Sequence, residues 1–100
     1  MQRIKRYVDS IEAELKDAQD YAECYIKYRV KGNSNYANKY KEMANDELKH
    51  AGYLHEIVST EIEEMKAVFT PNVDMQEKWD IAHKRYVDQA AYVKQMLTLQ

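Results

Sequence analysis

The apolar residues of the chain recur every three or four positions, which is the spacing of one face of an α-helix. They form three series, separated by two short polar segments. The first series contains Ile4, Val8, Ile11, Leu15, Ala18, Ala22 and Tyr25; the second contains Tyr36, Tyr40, Met43, Glu47, His50, Leu54, Ile57, Glu61, Met65 and Val68; the third contains Trp79, Ala82, Tyr86, Ala90, Val93 and Leu97. The pattern predicts an all-α protein with helices over about residues 2–31, 35–69 and 74–98.

The two polar segments have the residues that end one helix and begin the next. Gly32 can take the left-handed conformation that closes a helix, and Ser34 or a flanking Asn can cap the second helix. Pro71 marks the second break, and Asp74 with Glu77 three residues later resembles a capping box. The chain is therefore predicted to form a long antiparallel helical hairpin followed by a third helix.

Composition limits the possible functions. One hundred residues predict a single domain over 1–100, and two Gly and one Pro leave few turns for a sheet. The formal charge is −2, and acidic and basic residues are interspersed along the chain, which argues against binding to nucleic acid. No apolar run is long enough for a membrane and no signal peptide is evident, so a cytoplasmic protein without a membrane partner is expected. The single Cys24 cannot form an internal disulfide and is expected in or beside the core.

Polar residues interrupt the second apolar series. Glu47, His50 and Glu61 occupy positions that would be apolar in a simple core, where a carboxylate needs an ion pair, a hydrogen bond or a metal. Glu61 is expected to pair with Lys or Arg, with a metal as the lesser alternative. Glu47 and His50 form a Glu-x-x-His motif, which with a Glu from a neighbouring helix is the ligand set of carboxylate-bridged metal pairs in helix bundles.

Glu14 on the first helix is predicted to lie at the height of this motif. A turn centred near Gly32 places Glu14 opposite Ala51, within about one helical turn of both Glu47 and His50. The predicted metal ligands are therefore Glu14, Glu47 and His50. Gly52 is at the same height, where its missing side chain is expected to let the helices approach closely.

These residues resemble those of a known family. Glu14 with the aromatic Tyr21 seven residues later, followed by the segment 47–51, is similar to the first half of ferritin-like, rubrerythrin-like di-iron proteins. The resemblance covers the first two helices, and it implies iron as the metal, with manganese or zinc as alternatives. It also implies that Glu47 bridges two metals, and that a ferroxidase reaction is possible. A four-helix member of the family supplies another Glu and another Glu-x-x-His from its third and fourth helices. This chain has only one predicted helix after the first two.

The third helix offers Asp80 and His83 at the same three-residue spacing. Helix heights place His83 opposite about Thr60, about ten or more residues and on the order of 15 Å from the level of Glu47 and His50. Asp80 and His83 are therefore expected to be surface residues rather than ligands of the same site. His55 is expected at the edge of the core with a hydrogen-bonded ring. One chain thus supplies three ligands, and two copies would complete the set, as in the encapsulated ferritins that this short chain resembles. The prediction is a homo-oligomer, at least a dimer, that completes a four-helix bundle.

A second interpretation of the same residues remains open. Glu47 and His50 could belong to a buried ion-pair network in a non-catalytic helical-bundle protein for assembly or regulation. Lys41, Lys49 and Arg29 are the candidate partners in such a network. Metal content and mass in solution distinguish the two interpretations.

Overall fold

The computed structural model describes residues 2–99, without the side chain of Gln2, as three α-helices and no strand. They are α1 (Gln2–Val30), α2 (Ser34–Lys66) and α3 (Val73–Leu97). The predicted all-α fold class is confirmed. Among the described residues, no helix has a stretch both long and apolar enough to cross a membrane.

The hairpin turn between α1 and α2 has the predicted chemistry. Gly32 adopts a left-handed backbone with φ of 78°, and the backbone N–H of Asn33 donates to the carbonyl of Tyr28 at 2.9 Å. The Asn33 side chain then accepts a hydrogen bond from the backbone N–H of Tyr36 at 3.0 Å. One Asn thus begins α2 immediately after the Gly that ends α1.

The start of α3 differs from the prediction. Its N-cap is Asn72, whose side-chain oxygen accepts a hydrogen bond from the backbone N–H of Met75 at 2.7 Å. The predicted capping box at Asp74 and Glu77 is wrong, because Asn72 already caps the helix and both residues lie inside it. Asp74 instead pairs with Lys78 at 3.0 Å.

The predicted core face is correct for α1 and wrong for α2. In α1, six of the seven predicted positions are buried, and Val8 is partly buried. In α2, Met43 and Ile57 of the predicted stripe are 40% and 42% exposed. The buried face of α2 is Ala37, Ala44, Leu48, Ala51, Val58 and Ile62. Three Ala residues at seven-residue steps let the two helix backbones pack closely, which turns the larger side chains of the predicted stripe towards the edge of the hairpin.

The three helices form an elongated body of 55 × 17 × 16 Å. Arg3 pairs with Glu61 at 2.9 Å at the open end of the α1–α2 hairpin. Helix α3 runs parallel to α1 and packs mainly along it: Gln89 hydrogen-bonds Gln19 at 3.3 Å, and the Tyr25 hydroxyl donates to the Leu99 carbonyl at 2.9 Å.

Gly52 does not mark the close helix approach predicted for it. A Cβ added at Gly52 would lie 3.5 Å from the Tyr86 hydroxyl oxygen, which is ordinary contact with a side chain of α3. The structure at this position therefore has room for Ala.

Candidate metal centre

The three predicted ligands come together at one edge of the hairpin. Nδ1 of His50 lies 3.6 Å from Oε2 of Glu14 and 3.8 Å from Oε1 of Glu47. One ligand atom from each residue lies within 4.8 Å of the others. Ligand atoms held about 2.0–2.2 Å from a divalent ion such as zinc are about 3 to 4.4 Å apart, so the two distances from His50 fit a shared ion, while the 4.8 Å limit for the whole triad is slightly wider.

Local structure explains why these side chains converge. The turn at Gly32 sets the register of the hairpin, so that Glu14 of α1 reaches the level of His50. Glu47 and His50 are three residues apart and lie one above the other on α2. Their sequence neighbours Leu48 and Ala51 are buried in the core and so hold the backbone at the site in place.

The triad lies at the surface rather than in the core. The side chains of Glu47, Glu14 and His50 are 21%, 29% and 55% exposed, and the described residues include no buried polar or charged side chain. The expectation that Glu47 and His50 interrupt a buried seam is therefore wrong, because α2 buries a different face. Partial exposure lets water solvate these groups, so burial alone does not require a metal. The feature of the triad that would suit a metal ion is the convergence of three donor groups.

Helix α3 does not contribute to this site. Within residues 2–99, Glu14, Glu47 and His50 form the one group of three or more candidate ligands. His83 instead contacts His55 at 2.7 Å. His83 was predicted to lie opposite Thr60, but it lies opposite His55, five residues earlier on α2. The difference arises because α2 ends at Lys66 rather than near residue 69. His83 therefore lies closer to the level of His50 than predicted, about 7.5 Å along the axis, but still outside the triad.

The other charged residues follow the sequence expectations in part. Glu61 pairs with Arg3, as predicted for an ion pair rather than a metal. Among the ion pairs of the described chain, none joins Glu47 to Lys41, Lys49 or Arg29. The ion-pair partner that the described structure gives Glu47 is therefore His50, not one of these three predicted partners.

An outward row on α2 was not recognised as such in the sequence. Tyr36, Met43, His50 and Ile57 follow one another at seven-residue steps, so they lie along one side of the helix, and all four are exposed. We call these four residues the outer row. The Ala residues at 37, 44 and 51 were the signal that could have revealed it, because small residues at the same step mark the face that packs most closely.

A family model described as Rubrerythrin matches residues 8–96. The chain belongs to this family. The rubrerythrin family is part of the ferritin-like di-iron carboxylate superfamily, so the resemblance seen in the first two helices is confirmed and the match extends through most of α3. The comparisons with curated proteins and with solved structures gave no match.

Membership of the rubrerythrin family bears on the metal. It implies a ferritin-like protein with a di-iron carboxylate site, and so supports iron. The matched segment includes Glu14, Glu47 and His50, which are the converging donors in the described structure.

Proposed function

We propose that the protein binds a pair of iron ions between two copies of the chain, with Glu14, Glu47 and His50 of each copy as ligands. The observation that carries the proposal is the convergence of one imidazole and two carboxylates within 4.8 Å. Iron binds both oxygen and imidazole ligands. Two copies together provide four Glu and two His, which is the ligand set of di-iron helix bundles.

The exposure of the site supports completion by a second copy. Half of the His50 side chain is open to solvent, and Met43 and Ile57 of the outer row flank it with exposed apolar surface. A second hairpin packed against the outer row would cover these side chains and form a four-helix bundle. It would also bring a second triad to the same place.

Charge agrees with two divalent ions. Carboxylates bind metal in the ionised form and imidazole binds it as the neutral base. Two copies of Glu14 and Glu47 therefore supply four negative charges, which match the four positive charges of two Fe(II) ions. In this proposal Glu47 would be shared between the two ions, and Glu14 and His50 would each bind one of them. Nδ1 of His50 would be the ligand atom, because it faces both carboxylates.

The proposed activity is that of a ferroxidase, and its proposed location is the cytoplasm. A bound iron pair would supply the oxidation of Fe(II) by oxygen or peroxide. The residues of the two chains would hold the ions and balance their charge.

Anaerobic titration with Fe(II) tests the proposal. We expect uptake to saturate near one iron per chain and an oxo-bridged absorption band to develop on exposure to air. Glu47→Ala should lose this uptake, whereas Glu63→Ala should keep it, because Glu63 is an exposed residue of the same helix that pairs with Lys66 at 3.6 Å. Absence of uptake, or equal uptake by Glu47→Ala, would contradict the proposal.

The mass of the protein in solution tests the assembly. A dimer or larger oligomer that contains iron supports a site shared between copies. A metal-free monomer would favour the alternative of a helical interaction protein.

A further inference from the structure

A second pair of potential metal ligands joins α2 to α3. Nε2 of His55 and Nδ1 of His83 lie 2.7 Å apart. At this distance one ring nitrogen carries the hydrogen and the other accepts it. The two ring nitrogens, on different helices, therefore face each other, and both would be free for a metal ion once this hydrogen moves to the other nitrogen of its own ring.

Aromatic residues of α3 hold these rings in position. The His55 ring stacks on Tyr86, with centroids 4.2 Å apart and planes 17° apart. Trp79 lies 5.3 Å from the His55 ring and 6.1 Å from the His83 ring. His55 is partly buried and His83 is exposed, so the pair has a packed side and a side open to water.

The protonation state of His55 favours metal binding. Burial lowers the pKa of His55 below its usual value, and the nearby His83 lowers it further. At neutral pH the His55 ring is thus the free base, which is the form that coordinates a metal.

We propose that His55 and His83 form a second metal site, which binds one divalent ion of the copper or nickel class and links α2 to α3. Two nitrogens about 2.0 Å from an ion are about 2.8 Å apart at a right angle and about 3.3 Å apart at a tetrahedral angle. The observed separation of 2.7 Å is closer to the right-angle value, so ions with square-planar or octahedral geometry require the smaller movement. Water can fill the remaining positions on the exposed side.

This site is distinct from the carboxylate triad. His50 and His55 are five residues apart on α2, which places them about 140° apart around the helix and about 7.5 Å apart along it. The triad combines two carboxylates with one imidazole, whereas the second site has two imidazoles and no carboxylate, and copper and nickel are among the metals that imidazole suits.

The variant His50→Ala isolates the second site, because the chain has three His and only His55 and His83 then remain. Cu(II) titration is followed through the fluorescence of Trp79, the single Trp of the chain. We expect saturable quenching at one copper per chain, since the Trp79 ring lies beside both imidazoles. Electron paramagnetic resonance should show two nitrogen ligands. This test is independent of iron binding, as the triad has already lost His50.

Replacement of His83 is the decisive comparison. In the His50→Ala background, His83→Ala and His83→Asn should each weaken copper binding at least tenfold, while Lys84→Ala, at an exposed neighbouring position, should bind as the parent does. Far-ultraviolet circular dichroism verifies that each variant remains helical. Unchanged affinity in both His83 variants, or two copper ions bound independently per chain, would overturn the proposal.

Discussion

Gly52→Ala is expected to stabilise the protein. Gly52 lies within the 33-residue helix α2, where Gly is less favourable than Ala by about 0.8–1.0 kcal/mol. An added Cβ would meet the Tyr86 hydroxyl oxygen at 3.5 Å, an ordinary contact that requires no movement. No steric cost therefore offsets the higher helix propensity of Ala, and we expect the free energy of unfolding to increase by about 1 kcal/mol.

Thermal unfolding followed by circular dichroism measures this gain. For a domain of 60–100 residues, 1 kcal/mol corresponds to a change in Tm of about 4–8 °C. The measurement should be made at one protein concentration and with a chelator present, because both dimerisation and bound metal raise Tm. Lys49→Gly is the matched control: Lys49 is exposed on the same helix, and this substitution should lower Tm by a comparable amount.

A lower Tm for Gly52→Ala, with Lys49→Gly behaving as expected, would refute the reasoning. It would mean that Tyr86 cannot accommodate the added methyl group. The stacking of Tyr86 on His55 would then depend on Gly at this position.

Two further predictions concern the interface and the effect of pH. Ile57→Asp should decrease the dimer fraction and the iron stoichiometry together while helix content is kept, because it places a charge in the exposed apolar outer row; an iron-loaded dimer of unchanged mass would exclude this row from the interface. His55→Gln should reduce the loss of stability between about pH 7 and pH 5. The pKa of His55 is lowered in the folded chain, so as the pH falls through the unfolded value of about 6.5 the unfolded chain binds more protons than the folded chain. The folded state therefore loses stability in that range, and a chain without His55 should lose less. Urea denaturation at several pH values measures the difference between His55→Gln and the unsubstituted chain, and identical pH profiles would show that His55 is not responsible.

The sequence by itself determined the helices and the register of the hairpin. Periodic apolar residues and the chemistry of Gly32 and Asn33 are local signals, and they placed every helix end to within one residue except the end of α2, which lies at Lys66 rather than near residue 69. Once the turn is known, the constant rise of an α-helix fixes which residues are level. This is why the sequence alone predicts that Glu14 lies level with Glu47 and His50.

Tertiary structure decided which face of α2 is buried. Two stripes on this helix have apolar residues at helical spacing, and the larger side chains favoured the wrong one. The buried stripe is the one that contains Ala37, Ala44 and Ala51, because their small side chains let the backbones of α1 and α2 approach and form a close-packed contact. The consequence for the site is direct: the triad lies at an open edge, where a second copy can reach it.

Tertiary structure also decided the position of α3. The end of α2 at Lys66 and the loop that follows shifted the level of α3 by five residues, and packing along α1 brought His83 to His55 rather than to the triad. The rise per residue of a helix does not predict which residues of α2 and α3 will be in contact, because the path of the loop between them depends on what the next helix packs against. The convergence of Glu14, Glu47 and His50 within one hairpin was thus readable from the sequence, whereas the contacts between α2 and α3 existed only once the three helices were packed.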